Sequence, residues 1–146
     1  MYKNKIEELI EKKDFKQAKE CILKDKEISQ DIEMLKYLGL CNINLGEYNE
    51  ALENFKNIVK INKDDALSLY YISTIYTGQN HFEEAEETLK KVIELREDYL
   101  DAYKTLCVCY LKQKKFKEIL SLKDKMISLD ENNTQIYEIL SAANLE

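Results

Sequence analysis

With 146 residues, of which 45% are apolar, the chain has the length of one domain and enough hydrophobic material for a core, which excludes a disordered polypeptide. A net charge of −6 excludes the cationic surface that phosphate binding requires, so nucleic acid is not an expected partner. The apolar residues never run to the roughly eighteen that a membrane-spanning helix needs, so no membrane association is expected.

The start of the chain (Met1, Tyr2, Lys3, Asn4, Lys5, Ile6, Glu7, Glu8) places acids where a secretory leader needs an apolar stretch, and a cytoplasmic location is the expectation. A first amphipathic helix is predicted near 2–12. Asp14, with Gln17 three residues later, reads as a capping box that opens a second helix over 15–28. Asp31 caps a third over 32–45, and the turn Asn44-Leu45-Gly46-Glu47 leads into a fourth over 48–61, where Leu52, Phe55, Ile58, Val59 and Ile61 recur at intervals of three and four. Asp65 caps a helix over 66–79. Gly78-Gln79-Asn80-His81 breaks it before the next, over 82–95. Two more follow over 100–113 and 116–129, divided by Gln113-Lys114-Lys115, and Asn133 caps a last one over 134–145. Nine helices and no strand result.

These helices repeat. An aromatic stands at Phe15, Tyr48, Phe82 and Phe116, at separations of 33, 34 and 34 residues, and is followed three later by Ala18, Ala51, Ala85 and Ile119. Ile28, Ile61, Leu95 and Leu129 mark the ends of the second helices. Leu35, Leu69, Tyr103 and Tyr137, with Leu38, Ile72, Leu106 and Leu140, mark the first. Several positions sharing one period imply stacked helix pairs whose stability comes from contacts between neighbours. Ala51 and Ala85 let two helices approach to about 8–10 Å.

The stretch Leu35, Leu38, Gly39, Gly46, Tyr48, Ala51, Phe55 resembles the tetratricopeptide repeat, a 34-residue helix–turn–helix. The resemblance extends over a divergent repeat at 1–31, repeats at 32–65, 66–99 and 100–133 and a terminal helix at 134–146, all read as one domain. It departs from the family in lacking a proline near the end of the second helix, where Lys63, Glu97 and Glu131 stand, and in Ile119 at a position for a small residue. The resemblance implies an all-α solenoid, a right-handed superhelix whose first helices line a concave, peptide-binding face. Transferred by position, that face comprises Lys36, Tyr37, Leu40 and Asn44, then Tyr70, Tyr71, Thr74 and Thr77, then Lys104, Thr105, Val108 and Lys112. Tyrosines among lysines suit a peptide of acidic character. Tyr37 and Tyr71 serve equally well as packing between adjacent first helices. The family's clamp for the C-terminal carboxylate of heat-shock chaperones falls on Lys36, Leu40, Tyr71, Asp101 and Thr105, where a single base remains, so that specificity is not expected.

No reaction is nominated. Cys107 and Cys109 lie about 200° apart around a helix and cannot share an ion, and together with Cys21 and Cys41 they read as free thiols of the core. His81 is the single histidine and falls in a turn, so no metal, cofactor or catalytic set is expected. The acids Glu83, Glu84, Glu86 and Glu87 suit the first turns of a helix, and Lys112, Lys114, Lys115 and Lys117 read as a solvated cluster. Tyr137 and Leu140 on the last helix mark an edge for an end-to-end homodimer. The sequence therefore supports a scaffold or adaptor that binds a peptide or protein in its groove, with a spacer or oligomerisation module, or a fragment of a larger regulator, as the alternative.

Overall fold

The computed structural model describes residues 2–144, so the predicted limits at 1, 145 and 146 lie outside the described residues. Among these residues there are ten α-helices, one short 3₁₀ helix and no strand. In order they are α1 (Tyr2–Glu11), α2 (Phe15–Leu23), the 3₁₀ helix Ile28–Gln30, α3 (Ile32–Asn44), α4 (Tyr48–Ile61), α5 (Ala66–Gly78), α6 (Phe82–Leu95), α7 (Leu100–Lys112), α8 (Phe116–Ser121), α9 (Lys123–Leu129) and α10 (Thr134–Asn144). The chain divides into two compact units, the first ending at Ser68 and the second beginning at Leu69.

The turns inside the repeats share one geometry. Lys13, Gly46, Asn80 and Lys114 all have φ between 58° and 79°. In each, the next residue donates its N–H to a carbonyl five positions back: Asp14 to Leu9, Glu47 to Asn42, His81 to Tyr76 and Lys115 to Tyr110, at 2.8–2.9 Å. This is the Schellman closure, which satisfies the last carbonyls of one helix before the next begins. Aspartates then start helices as expected: Asp14 accepts from the Gln17 N–H at 3.2 Å, Asp31 from Glu33 and Met34, and Asp65 from Ser68 at 2.9 Å.

In the first unit α1, α2 and α3 bury Ile6, Leu9, Ala18, Cys21, Ile22, Met34, Leu38 and Cys41 in one cluster. α4 lies on α3, with Ala51, Phe55 and Ile58 fully buried. Gly39 is where the two helices come closest, since a Cβ there would stand 2.6 Å from the Phe55 ring. In the second unit α7 packs on α6 and α8, and α10 covers α7, α8 and α9. All four cysteines are buried and free, and burial pushes the Cys107 thiol up to about 12, which keeps it protonated and apolar in character.

Two predicted helices differ. The segment 15–28 stays helical only to Leu23, because the Asp25 carboxylate accepts from the N–H groups of Glu27 (2.9 Å) and Ile28 (3.2 Å) and offers the backbone a turn in place of another helical one. The segment 116–129 breaks at Leu122, which donates to Ile119 at 3.0 Å, three residues back rather than four. Ile119 is fully buried at the position where Ala51 and Ala85 stand, and accommodating its branched side chain at a helix crossing disturbs the winding one turn later.

The acids of α6 are not uniformly a wet surface. Glu86 is nearly buried and accepts from Lys90 (2.8 Å), Lys115 (2.9 Å) and Gln113 (3.1 Å), so one carboxylate joins α6 to the turn between α7 and α8. Burial alone would raise its carboxyl, but these three donors outweigh burial and hold it at about 2.

Gly39→Ala is expected to destabilise the protein by about 1–3 kcal/mol through the clash with Phe55, while Lys114→Gly stabilises it by up to about 1 kcal/mol by relieving left-handed strain; urea unfolding of both variants checks the opposite signs. Glu86→Gln is expected to cost about 1–2 kcal/mol at neutral pH. Because the folded carboxyl titrates below the ordinary 4.5, its contribution is present above that value and is lost as pH falls through about 2. Wild type and variant should therefore converge in acid unfolding as pH drops across that window.

Candidate functional site

The first-helix faces predicted to bind a ligand resolve into two depressions, one in each compact unit. In the first, Ile32, Lys36, Tyr37 and Leu40 of α3 and Leu67 of α5 line a shallow hollow of about 560 Å³, with Asp31 and Glu33 at its edge. Lys36 does not project freely from it. Its ammonium lies 2.7 Å from Asp65, the residue that caps α5. Burial would raise the Asp65 carboxyl, but the Lys36 and Ser68 donors win and lower it, so the pair stays ionised. Tyr37 donates its hydroxyl to Glu7 of α1 at 2.9 Å and packs against the α1–α3 core. It is thus packing between first helices, one of the two roles its spacing allowed. Asn44 turns its amide back to the Leu40 carbonyl at 2.8 Å and lies off the hollow.

The second depression, of about 400 Å³, is formed by Tyr70 and Thr77 of α5, Asp101, Lys104, Thr105 and Val108 of α7, and Gln135, Glu138 and Ile139 of α10. Lys104 is also engaged, donating to the Gln135 side chain at 2.8 Å and pairing with Asp101 at 3.3 Å. Val108, 38% exposed, contributes apolar surface to the depression. Tyr70 stacks obliquely on Tyr99 at 4.9 Å between centroids, with Tyr71 6.1 Å away. Arg96 sits over the Tyr99 ring at 4.9 Å. Burial, and then the neighbouring phenols of Tyr70 and Tyr71, push the Tyr99 hydroxyl up to about 12, so this phenol is neutral at physiological pH. Thr74 and Thr77 return their hydroxyls to their own helix, to the carbonyls of Tyr71 and Ser73. Tyr71, Thr74 and Lys112 are not among the residues that line this depression.

The sequence reading passed over the α10 side of this site, although the period contains it. Adding 34 to Lys104 and Thr105 gives Glu138 and Ile139. Of the two residues expected at a dimer edge on the same helix, Leu140 is buried, 5% exposed, within the second unit, and Tyr137, at 46%, presents a surface. Tyr137 further donates its hydroxyl to the Glu131 carbonyl at 2.8 Å. Among the described residues no three His, Cys, Asp or Glu side chains are grouped to hold a metal ion, and no helix is long and apolar enough to cross a membrane.

Residues 43–98 match the family model for the tetratricopeptide repeat. No curated protein matches the chain in sequence. Solved structures resemble it closely in fold at low identity. MamA (residues 41 to the end) from Desulfovibrio magneticus RS-1 superposes with a TM-score of 0.90 at 19% identity, over 99% of this chain and 82% of that one. YrrB, described as a tetratricopeptide-repeat protein with an unusual peptide-binding site, gives 0.82 at 19% identity over 94% and 71%. The first such domain of Spaghetti (RPAP3), bound to an HSP90 peptide, gives 0.74 at 20% over 80% and 93%. Residues 43–98 thus carry the tetratricopeptide-repeat pattern in their sequence, and the described residues as a whole share the all-helical fold of the solved tetratricopeptide-repeat structures they resemble.

Proposed function

We propose that the protein is an adaptor that holds a peptide or protein segment against the first-helix faces of its repeats. The observation that carries this reading is the depression on α5, α7 and α10, where exposed Val108 and the polar side chains of Thr105 and Gln135 combine apolar area with orienting groups. Two of the structural neighbours support it by analogy, one bound to a peptide and one described by its peptide-binding site. The carboxylate clamp is not part of the proposal, since Leu40, Tyr71, Asp101 and Thr105 stand where four of its five polar side chains belong. An acidic ligand, the expectation from Lys36 and Lys104, has weaker support than the sequence suggested, because both ammonium groups are already paired to Asp65 and Asp101. A cytoplasmic setting and the absence of catalysis remain part of this proposal.

The alternative is a spacer or oligomerisation module with an empty groove, in which Tyr137 would form the contact between copies. A photoreactive residue at Val108 or Leu67, both exposed in the two depressions, is expected to label a partner in the native host, whereas one at Lys60 or Lys91 on the exposed sides of α4 and α6 is not. Equal labelling from all four sites would remove the groove reading. A solution mass of two chains that Tyr137→Lys reduces to one would favour the alternative.

A further inference from the structure

We infer that the depression on α5, α7 and α10 receives a basic side chain, a lysine or arginine of the partner protein flanked by apolar residues. The inference rests on the peptide-holding reading and specifies the chemistry of what is held.

The charges of the depression do not balance. Its lining contains two carboxylates, Asp101 and Glu138, against one ammonium, Lys104. Lys104 pairs with Asp101 at 3.3 Å and donates to Gln135, so its charge is spent inside the wall. Glu138 is exposed and makes no hydrogen bond or ion pair with the described residues. It stands 34 residues after Lys104, at the offset where Lys36 and Lys104 stand in earlier repeats, so the sign of the position is reversed here. Lys112, further along α7, is not part of the lining.

The rest of the lining suits the stem of a long cationic side chain. Val108 and Ile139 offer apolar surface for its methylenes, which lysine and arginine lay along such surface while their heads reach polar groups. Tyr70 adds an aromatic ring whose face attracts cations. The cluster to which Tyr70 belongs already holds one, since the Arg96 guanidinium lies 4.9 Å from the centre of the Tyr99 ring, which itself stacks on Tyr70. An acidic side chain would meet Glu138 without a free ammonium in the lining to offset it.

The test uses the whole chain, isotopically labelled, titrated with a short blocked peptide alternating leucine and lysine and with its counterpart alternating leucine and glutamate. The lysine peptide is expected to shift the amides of Thr105, Val108 and Ile139. Glu138→Lys should weaken it about tenfold, whereas Glu94→Lys, an equal charge change on α6, changes affinity by less than about twofold. Glu138 has no hydrogen bond or ion pair to lose among the described residues, so thermal unfolding of Glu138→Lys should match the wild type, and any binding loss then reports on the depression. Preference for the glutamate peptide at the same amides would overturn the basic ligand and leave the adaptor reading standing. Equal weakening by Glu94→Lys would reduce the effect to attraction by net charge and overturn the site. If neither peptide moves these amides, both the inference and the use of this depression as a peptide site fail.

Discussion

Each return of the chain on itself depends on a residue held at positive φ and on the hydrogen bond that follows it. Lys13, Gly46, Asn80 and Lys114 take this conformation, and the succeeding N–H reaches back five residues each time. For lysine the left-handed region is disfavoured by contact between Cβ and the backbone. Only one of these four turns therefore receives the residue that adopts it without strain. The others are held by the helices on either side, which bury Leu9 and Ala18 around the first turn and Leu106 and Ile119 around the last. Packing drives the turn as much as the turn sets up packing. The common closure then gives equivalent residues of successive repeats comparable places on their helices.

Close approach is the second requirement, and it explains where the repeats may vary. Gly39 meets the Phe55 ring and Ala51 is fully buried, so the α3–α4 pair is built around small residues. In the third full repeat Ile119 replaces the alanine, and the corresponding segment is two helices, α8 and α9, rather than one. The protein tolerates the larger side chain by giving up continuity of winding. In doing so it buries Ile119 and Met126 completely on either side of the break.

Sequence periodicity revealed the helices because burial follows period, and it is silent about features that do not. The caps at Asp14, Asp31 and Asp65 were legible, since an aspartate just before an apolar stripe has a local structural reason. The early end of α2 was not, because Asp25 competes with the helix through its own side chain while the apolar pattern runs on to Ile28. The site was legible as a set of positions and much less so as chemistry. Offsets located Lys36 and Lys104 but did not show their partners, which lie 29 residues away at Asp65 and three residues away at Asp101. Glu86 is the same lesson in reverse: one of four similar acids in the sequence, it alone has three donors within 3.1 Å because Gln113 and Lys115 come to it from another element.

The offset shared by Lys36, Tyr70, Lys104 and Glu138 shows how such an array separates fold from recognition. The backbone gives each a comparable place on a first helix, yet Lys36 is fixed to Asp65, Tyr70 stacks on Tyr99, Lys104 is held by Asp101 and Gln135, and Glu138 has no hydrogen-bond or ion-pair partner among the described residues. None of these four side chains belongs to the buried core, so the position accepts different residue types within one fold. A charge committed within the protein helps to hold helices together and has little left to offer a partner, whereas an unpaired charge beside an apolar surface retains its full attraction for one. By that criterion the ligand proposed for the second unit would answer to the carboxylate on α10 rather than to the lysines that dominate the sequence pattern.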